Sequence, residues 1–101
     1  MKLDITKEIK TLKGKPINLN GKEANLKEFL YRAALFPATL DGKPVDQEET
    51  LGRYHLAKKI LESQKEVKLT AEEAVKLKEL TAKSFDNIEL KAQIYEIIDN
   101  G

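Results

Sequence analysis

The chain has 101 residues and no cysteine, with 18 basic against 17 acidic side chains, 41% hydrophobic and 35% charged residues. Such a length fits a single domain, 1–101, and the mixture is too apolar for a disordered chain and too charged for a membrane protein. A net charge of +1 gives no global pull toward nucleic acid or an anionic membrane, and without cysteine there is no disulfide, thiolate nucleophile or cysteine zinc site.

The opening Met1-Lys2-Leu3-Asp4 has no apolar signal region after its lysine, so a cytoplasmic protein is expected. Leu3, Ile5, Ile9 and Thr11 share one parity, but Lys7 interrupts them and leaves 8–12 as the expected strand. Lys13-Gly14-Lys15-Pro16 reads as a turn. Asn20-Gly21 is the strongest short hairpin signal, because both positions tolerate positive φ. Strand 8–12 can pair with 16–19, or 17–19 with 22–24; a three-stranded meander uses both.

Helices are expected from Asn25 onward. Asn25 with Glu28, Asp46 with Glu49, Thr70 with Glu73 and Asp86 with Glu89 each place an N-cap and an acid three residues on. The first helix, to about Leu35 before Pro37, turns Leu26, Phe29, Leu30, Ala33 and Ala34 inward and pairs Glu28 with Arg32 outside. The second, 47–63, is expected to bury Leu51, Tyr54, Ala57, Ile60 and Leu61. The third, 71–82, buries Ala74, Leu77 and Leu80; the fourth, 87–99, buries Leu90, Ile94, Ile97 and Ile98. Leu30, Leu51, Leu77 and Ile94 stand at the centres of these stripes. Residues 36–46 read as a long loop with two prolines, and Val67 and Leu69 as one more short strand able to join the N-terminal hairpin. The fold class is therefore α+β: a small N-terminal β-hairpin or meander over 1–25, then a mainly helical 26–101 with four helices and one additional short strand.

The residues offer little for catalysis. His55 is the sole histidine, and Ser63, eight residues on, lies about 12 Å away along a straight helix. The paired acids Glu48-Glu49 and Glu72-Glu73 sit where first turns favour negative charge. No calcium loop or phosphate loop is present, so no metal and no cofactor are expected, and the protein reads as a non-enzyme. A helix-turn-helix over 71–99 has the wrong sign: Asp86, Glu89, Glu96 and Asp99 face only Lys91, a net −3 on the would-be recognition helix. The N-terminal hairpin carries Lys10, Lys13, Lys15 and Lys22 and is the alternative, nucleic-acid-associated reading. It lacks arginine and aromatic residues for base contacts, and lysines on an edge strand also guard against sheet-to-sheet association.

From the opening Asp-Ile-Thr-Lys-x-Ile, through Gly14-Lys15-Pro16-Ile17, Arg53-Tyr54-His55-Leu56-Ala57-Lys58-Lys59-Ile60 and Val67-Lys68-Leu69-Thr70-Ala71-Glu72-Glu73, to the closing Ile97-Ile98-Asp99, the chain resembles small phage and prophage proteins of about this length. That resemblance implies a phage-encoded accessory protein acting by binding, as an assembly factor or an inhibitor of a host protein, and carries no functional residue with it. The expectation from the residues is a protein–protein interaction module, monomer or homodimer. Its partner surface is expected on the loop 36–46 and the start of the second helix, with Phe36, Leu40, Val45 and Asp46 in contact.

Overall fold

The structure, a computed structural model, describes residues 1–36 and 42–100, and residues 39–40 by backbone alone. The chain runs β1 (Lys2–Asp4), β2 (Asn18–Leu19), β3 (Lys22–Glu23), α1 (Leu26–Leu35), β4 (Thr39–Leu40), β5 (Lys43–Pro44), α2 (Gln47–Glu62), β6 (Glu66–Lys68), α3 (Ala71–Ser84) and α4 (Ile88–Asn100). This is the α+β arrangement of the sequence reading, with four helices and short strands.

The strands differ from expectation in their pairing. β1, not 8–12, is the first strand, and it takes β6 as its antiparallel partner, with Leu3 opposite Val67. Residues 8–12 give single bridges, Lys10 to Pro16 and Glu8 to Asn25. Both expected turns are nevertheless used. Ile17 donates to the Ile9 carbonyl at 2.9 Å. Asn20 and Gly21 hold φ of 55° and 80° between paired β2 and β3, as a two-residue hairpin loop requires. β6 therefore does not extend the hairpin: Ile5 donates to Lys65 and accepts from Lys27, so the opening segment is laced between the end of α2 and the start of α1. The 36–46 connection is also not structureless, since β4 and β5 pair across it.

Three helix starts match the sequence reading. Asn25 Oδ1 accepts from Glu28 N, Asp46 Oδ1 from Glu49 N, and Thr70 makes a complete reciprocal capping box with Glu73. The fourth is displaced by one residue: Asn87, not Asp86, caps α4, its Oδ1 accepting from Leu90 N at 3.1 Å.

One cluster of buried side chains joins all the helices to β1 and β6. α1 lies at its centre, packed on both α2 and α3, while α4 packs on α3. Phe29 is fully buried and meets Phe85 edge-on, centroids 5.7 Å apart. Burying each such side chain contributes roughly 1.5–3 kcal/mol. Leu30, Leu77 and Ile94 are buried as expected. Leu51 is not: it is 48% exposed. α2 is rotated about its axis from the expected orientation, so Leu51, Tyr54 and Leu61 face out while Arg53, Leu56, Ala57 and Ile60 face in. The cause is Arg53, whose Nε donates to the Ala34 carbonyl in the last turn of α1 at 2.9 Å, giving a helix-end acceptor a partner it lacks within its own helix.

Candidate functional site

Two concave surfaces flank α2, and two of the four expected partner-contact residues line them, Phe36 the first and Asp46 the second. The first is a groove of about 300 Å³ with a floor from α1, one wall from Leu61 of α2 and the other from Leu19 and Asn20 of the hairpin. Helical spacing brings Tyr31 and Leu35 to one side of α1. Phe36 follows directly and is 51% exposed. Its backbone is fixed at both ends: its N–H donates to the Arg32 carbonyl and its carbonyl accepts from Ser84 Oγ at 2.9 Å. The ring is covered by the Arg32 guanidinium, 4.6 Å from the centroid. This replaces the expected Glu28–Arg32 pair, which does not form; among the described residues no carboxylate pairs with Arg32.

The second surface is a cleft of about 430 Å³ where the first turns of α2 and α3 meet, lined by Asp46, Glu48, Glu49, Arg53, Glu72 and Lys76 among others. Glu49 Oε1 pairs with Lys76 at 2.7 Å, while Oε2 is buried without a partner. Glu73 Oε1 accepts from both Lys59 Nζ and Thr70 N. Burial works to raise the Glu73 carboxyl, but the hydrogen bonds from Lys59 and Thr70 outweigh it and hold the group below its ordinary value. Arg53 is 5% exposed, and Nε is spent on α1. Its two terminal nitrogens have no partner among the described residues, and the side chain lines the cleft. Gly52 stands beside it in mid-helix, where glycine costs roughly 1 kcal/mol relative to alanine. A Cβ there would meet nothing within 4 Å, so packing does not call for a glycine.

Of the expected contact residues, then, Phe36 lies in the groove and Asp46 on the rim of the cleft as an N-cap. Val45 is half-buried, and the Leu40 side chain lies outside the described residues. Sequence reasoning missed Tyr31, Arg32, Leu35 and Leu61 for the groove because it assigned Leu61 to the core and Arg32 to an ion pair. It missed Arg53 because an arginine in a helix reads as surface; the neighbouring mid-helix Gly52 was the available signal.

The lysines of the alternative reading are exposed on the N-terminal ribbon, with Lys10 3.5 Å from Glu8. His55 is exposed and meets Tyr54 edge-on, and Tyr54 is itself exposed rather than inward. Among the described residues no three His, Cys, Asp or Glu side chains converge as metal ligands, and no helix is long and apolar enough to cross a membrane. No protein-family model matches the chain, and no match is found among curated proteins or solved structures.

Proposed function

We propose that the protein is a non-enzymatic binding module that captures an apolar, acidic segment of another protein in the groove between α1, α2 and the β2–β3 hairpin. One observation carries this reading: Leu35, Phe36 and Leu61, all exposed, converge on one concavity whose rim holds an Arg32 with no carboxylate partner among the described residues. Scattered exposed apolar residues need no explanation, but a grouped set around a fixed aromatic and an arginine has the composition of an interface anchor. The fixed Phe36 lowers the ordering cost of docking. Lys27 and Arg32 against Glu28 make the groove net positive, which selects acidic residues beside the partner's apolar ones. The resemblance to phage-encoded proteins would make that partner a phage or host protein.

The test uses fluorescein-labelled helical peptides with Leu and Phe at i, i+4 spacing flanked by Glu, against the same peptides with Lys for Glu. The Glu peptide should bind saturably, and the Lys peptide at least about tenfold more weakly. Phe36→Asp should abolish binding while leaving the melting temperature within a few degrees. Equal binding of both peptides, or indifference to Phe36→Asp, sinks the reading. So does a dimer of the free protein that Phe36→Asp dissociates, because the groove would then be filled by a second copy. Salt-sensitive capture of DNA or RNA, lost when Lys10, Lys13 and Lys15 become Glu, would favour the nucleic-acid alternative instead.

A further inference from the structure

We infer that the outward face of α2 is an interface between two copies of this chain, packed antiparallel about a two-fold axis. The inward side of α2 is given by Arg53, Leu56, Ala57 and Ile60. On the side turned away from them stand Leu51, Tyr54, Lys58 and Leu61, all exposed. These four are spaced by three, four and three residues, which is the seam of a two-helix packing rather than a scatter of apolar positions. The contact is independent of the groove except at Leu61, which borders both.

The order of residues along the seam says what covers it. A three-four-three spacing reads the same from either end, so a second α2 running the other way meets it level by level. Leu51 of each copy then falls against Leu61 of the other, and Tyr54 against Lys58. The first match is apolar on apolar; the second seats an ammonium over an aromatic ring. Parallel packing would instead set Lys58 against Lys58, and an unrelated partner has no need of the reversal symmetry. His55 lies to one side of the seam with Glu48 and Glu62, all exposed, and the antiparallel arrangement brings Glu48 of each copy near Glu62 of the other. These rim acids oppose the contact, so salt tightens it. The seam is one 16-residue helix long, about 24 Å, so the interface is of the small, transient class, with a dissociation constant on the order of 0.1 mM.

The test is sedimentation equilibrium of the full chain from about 10 µM to about 1 mM, which should show a reversible monomer–dimer equilibrium that tightens as sodium chloride is added. Tyr54→Glu should weaken the dimer at least about tenfold, with the melting temperature in dilute solution unchanged, and Phe36→Asp should leave the dimer as it is. Should Tyr54→Glu unfold, crosslinking decides. The chain has no cysteine, so Leu51→Cys and Leu61→Cys chains can be mixed and oxidised without background. The mixed 51–61 disulfide should exceed the two like pairs together by at least about fivefold, because only the antiparallel register brings those positions within bonding distance. A folded Tyr54→Glu that dimerises like the parent, a dimer that salt loosens or Phe36→Asp dissociates, or disulfides in statistical proportion would overturn the proposal. A chain that stays monomeric throughout overturns it too, and leaves the groove reading standing.

Discussion

α2 and α3 begin alike, each with an oxygen-bearing N-cap and two acids in the first turn, but they use their side chains in opposite ways. α3 buries what its periodicity says, Ala74, Leu77 and Leu80. α2 turns Leu51, Tyr54 and Leu61 to the outside and an arginine to the inside. Each also holds one polar side chain in the core, with contrasting fates. Arg53 finds the Ala34 carbonyl, whereas the Thr81 hydroxyl finds no partner among the described residues. The difference teaches that burial follows what the neighbouring element needs. α3 serves a core with no polar request, while α2 serves the unsatisfied end of α1, and its apolar stripe is thereby released for other use.

Substitutions can sharpen this contrast or break it. The largest effect is expected for Leu77→Ala on α3, a loss of roughly 2–5 kcal/mol in denaturant unfolding. Arg53→Met, which keeps the stem but removes the donor, should cost about 2 kcal/mol by leaving the Ala34 carbonyl bare; a neutral result would mean that the bond does not orient α2. Thr81→Val should raise stability by about 1 kcal/mol, since it removes a buried hydroxyl that bonds to nothing.

A pH effect comes next. Glu73 has a folded pKa below its ordinary 4.5, so its contribution is present above that value and is lost as pH falls through the lower, folded one. Lys59→Met removes one of the hydrogen bonds that lower it, so the variant should lose less stability between neutral pH and acid than the parent does. Unchanged acid melting curves would remove the Lys59–Glu73 link from the account. The smallest effect is expected for Leu51→Ala, within about 0.5 kcal/mol; a loss comparable to Leu77→Ala would restore the inward stripe that the sequence predicts for α2.

What was legible in the sequence was local. The caps at Asn25, Asp46 and Thr70 depend on groups three residues apart, and the Asn20-Gly21 turn on two adjacent backbones, so short-range chemistry suffices to find them. The stripes of α3 and α4 were legible because each helix has one apolar face. α2 has two overlapping ones, 51-54-61 and 53-56-57-60, and periodicity cannot choose between them when the winning face contains an arginine. The partner of β1 was hidden for another reason: Asp4 faces Glu66, and no nearby residue announces a pairing across that span. Of the residues that line the two concavities, Phe36 and Asp46 were singled out in the sequence through the loop between helices. Arg53 was not, because its role depends on the Ala34 carbonyl that the fold brings to it, and Arg32 was not, because Glu28 one turn before it competes with Phe36 one turn after it.

The lacing of the opening segment bears on how the chain assembles. Leu3, Ile5 and Ile9 are buried; Ile9 bonds to nearby Ile17, but the backbone partners of Leu3 and Ile5 lie on Val67 and Lys65 as well as on Lys27 at the start of α1. Helices form in about a microsecond or less, and packing α1 against α2 needs only a short connection to close. Seating residues 1–5 against 65–69 requires closure across more than half the chain, so it belongs to the late part of folding. Until it happens, the core stays open along the Leu3–Ile5 edge. The reverse motion, in which this segment peels away while the helices stay packed, is correspondingly the opening that native-state hydrogen exchange would register first at the amides of Ile5 and Leu69, ahead of those in α3.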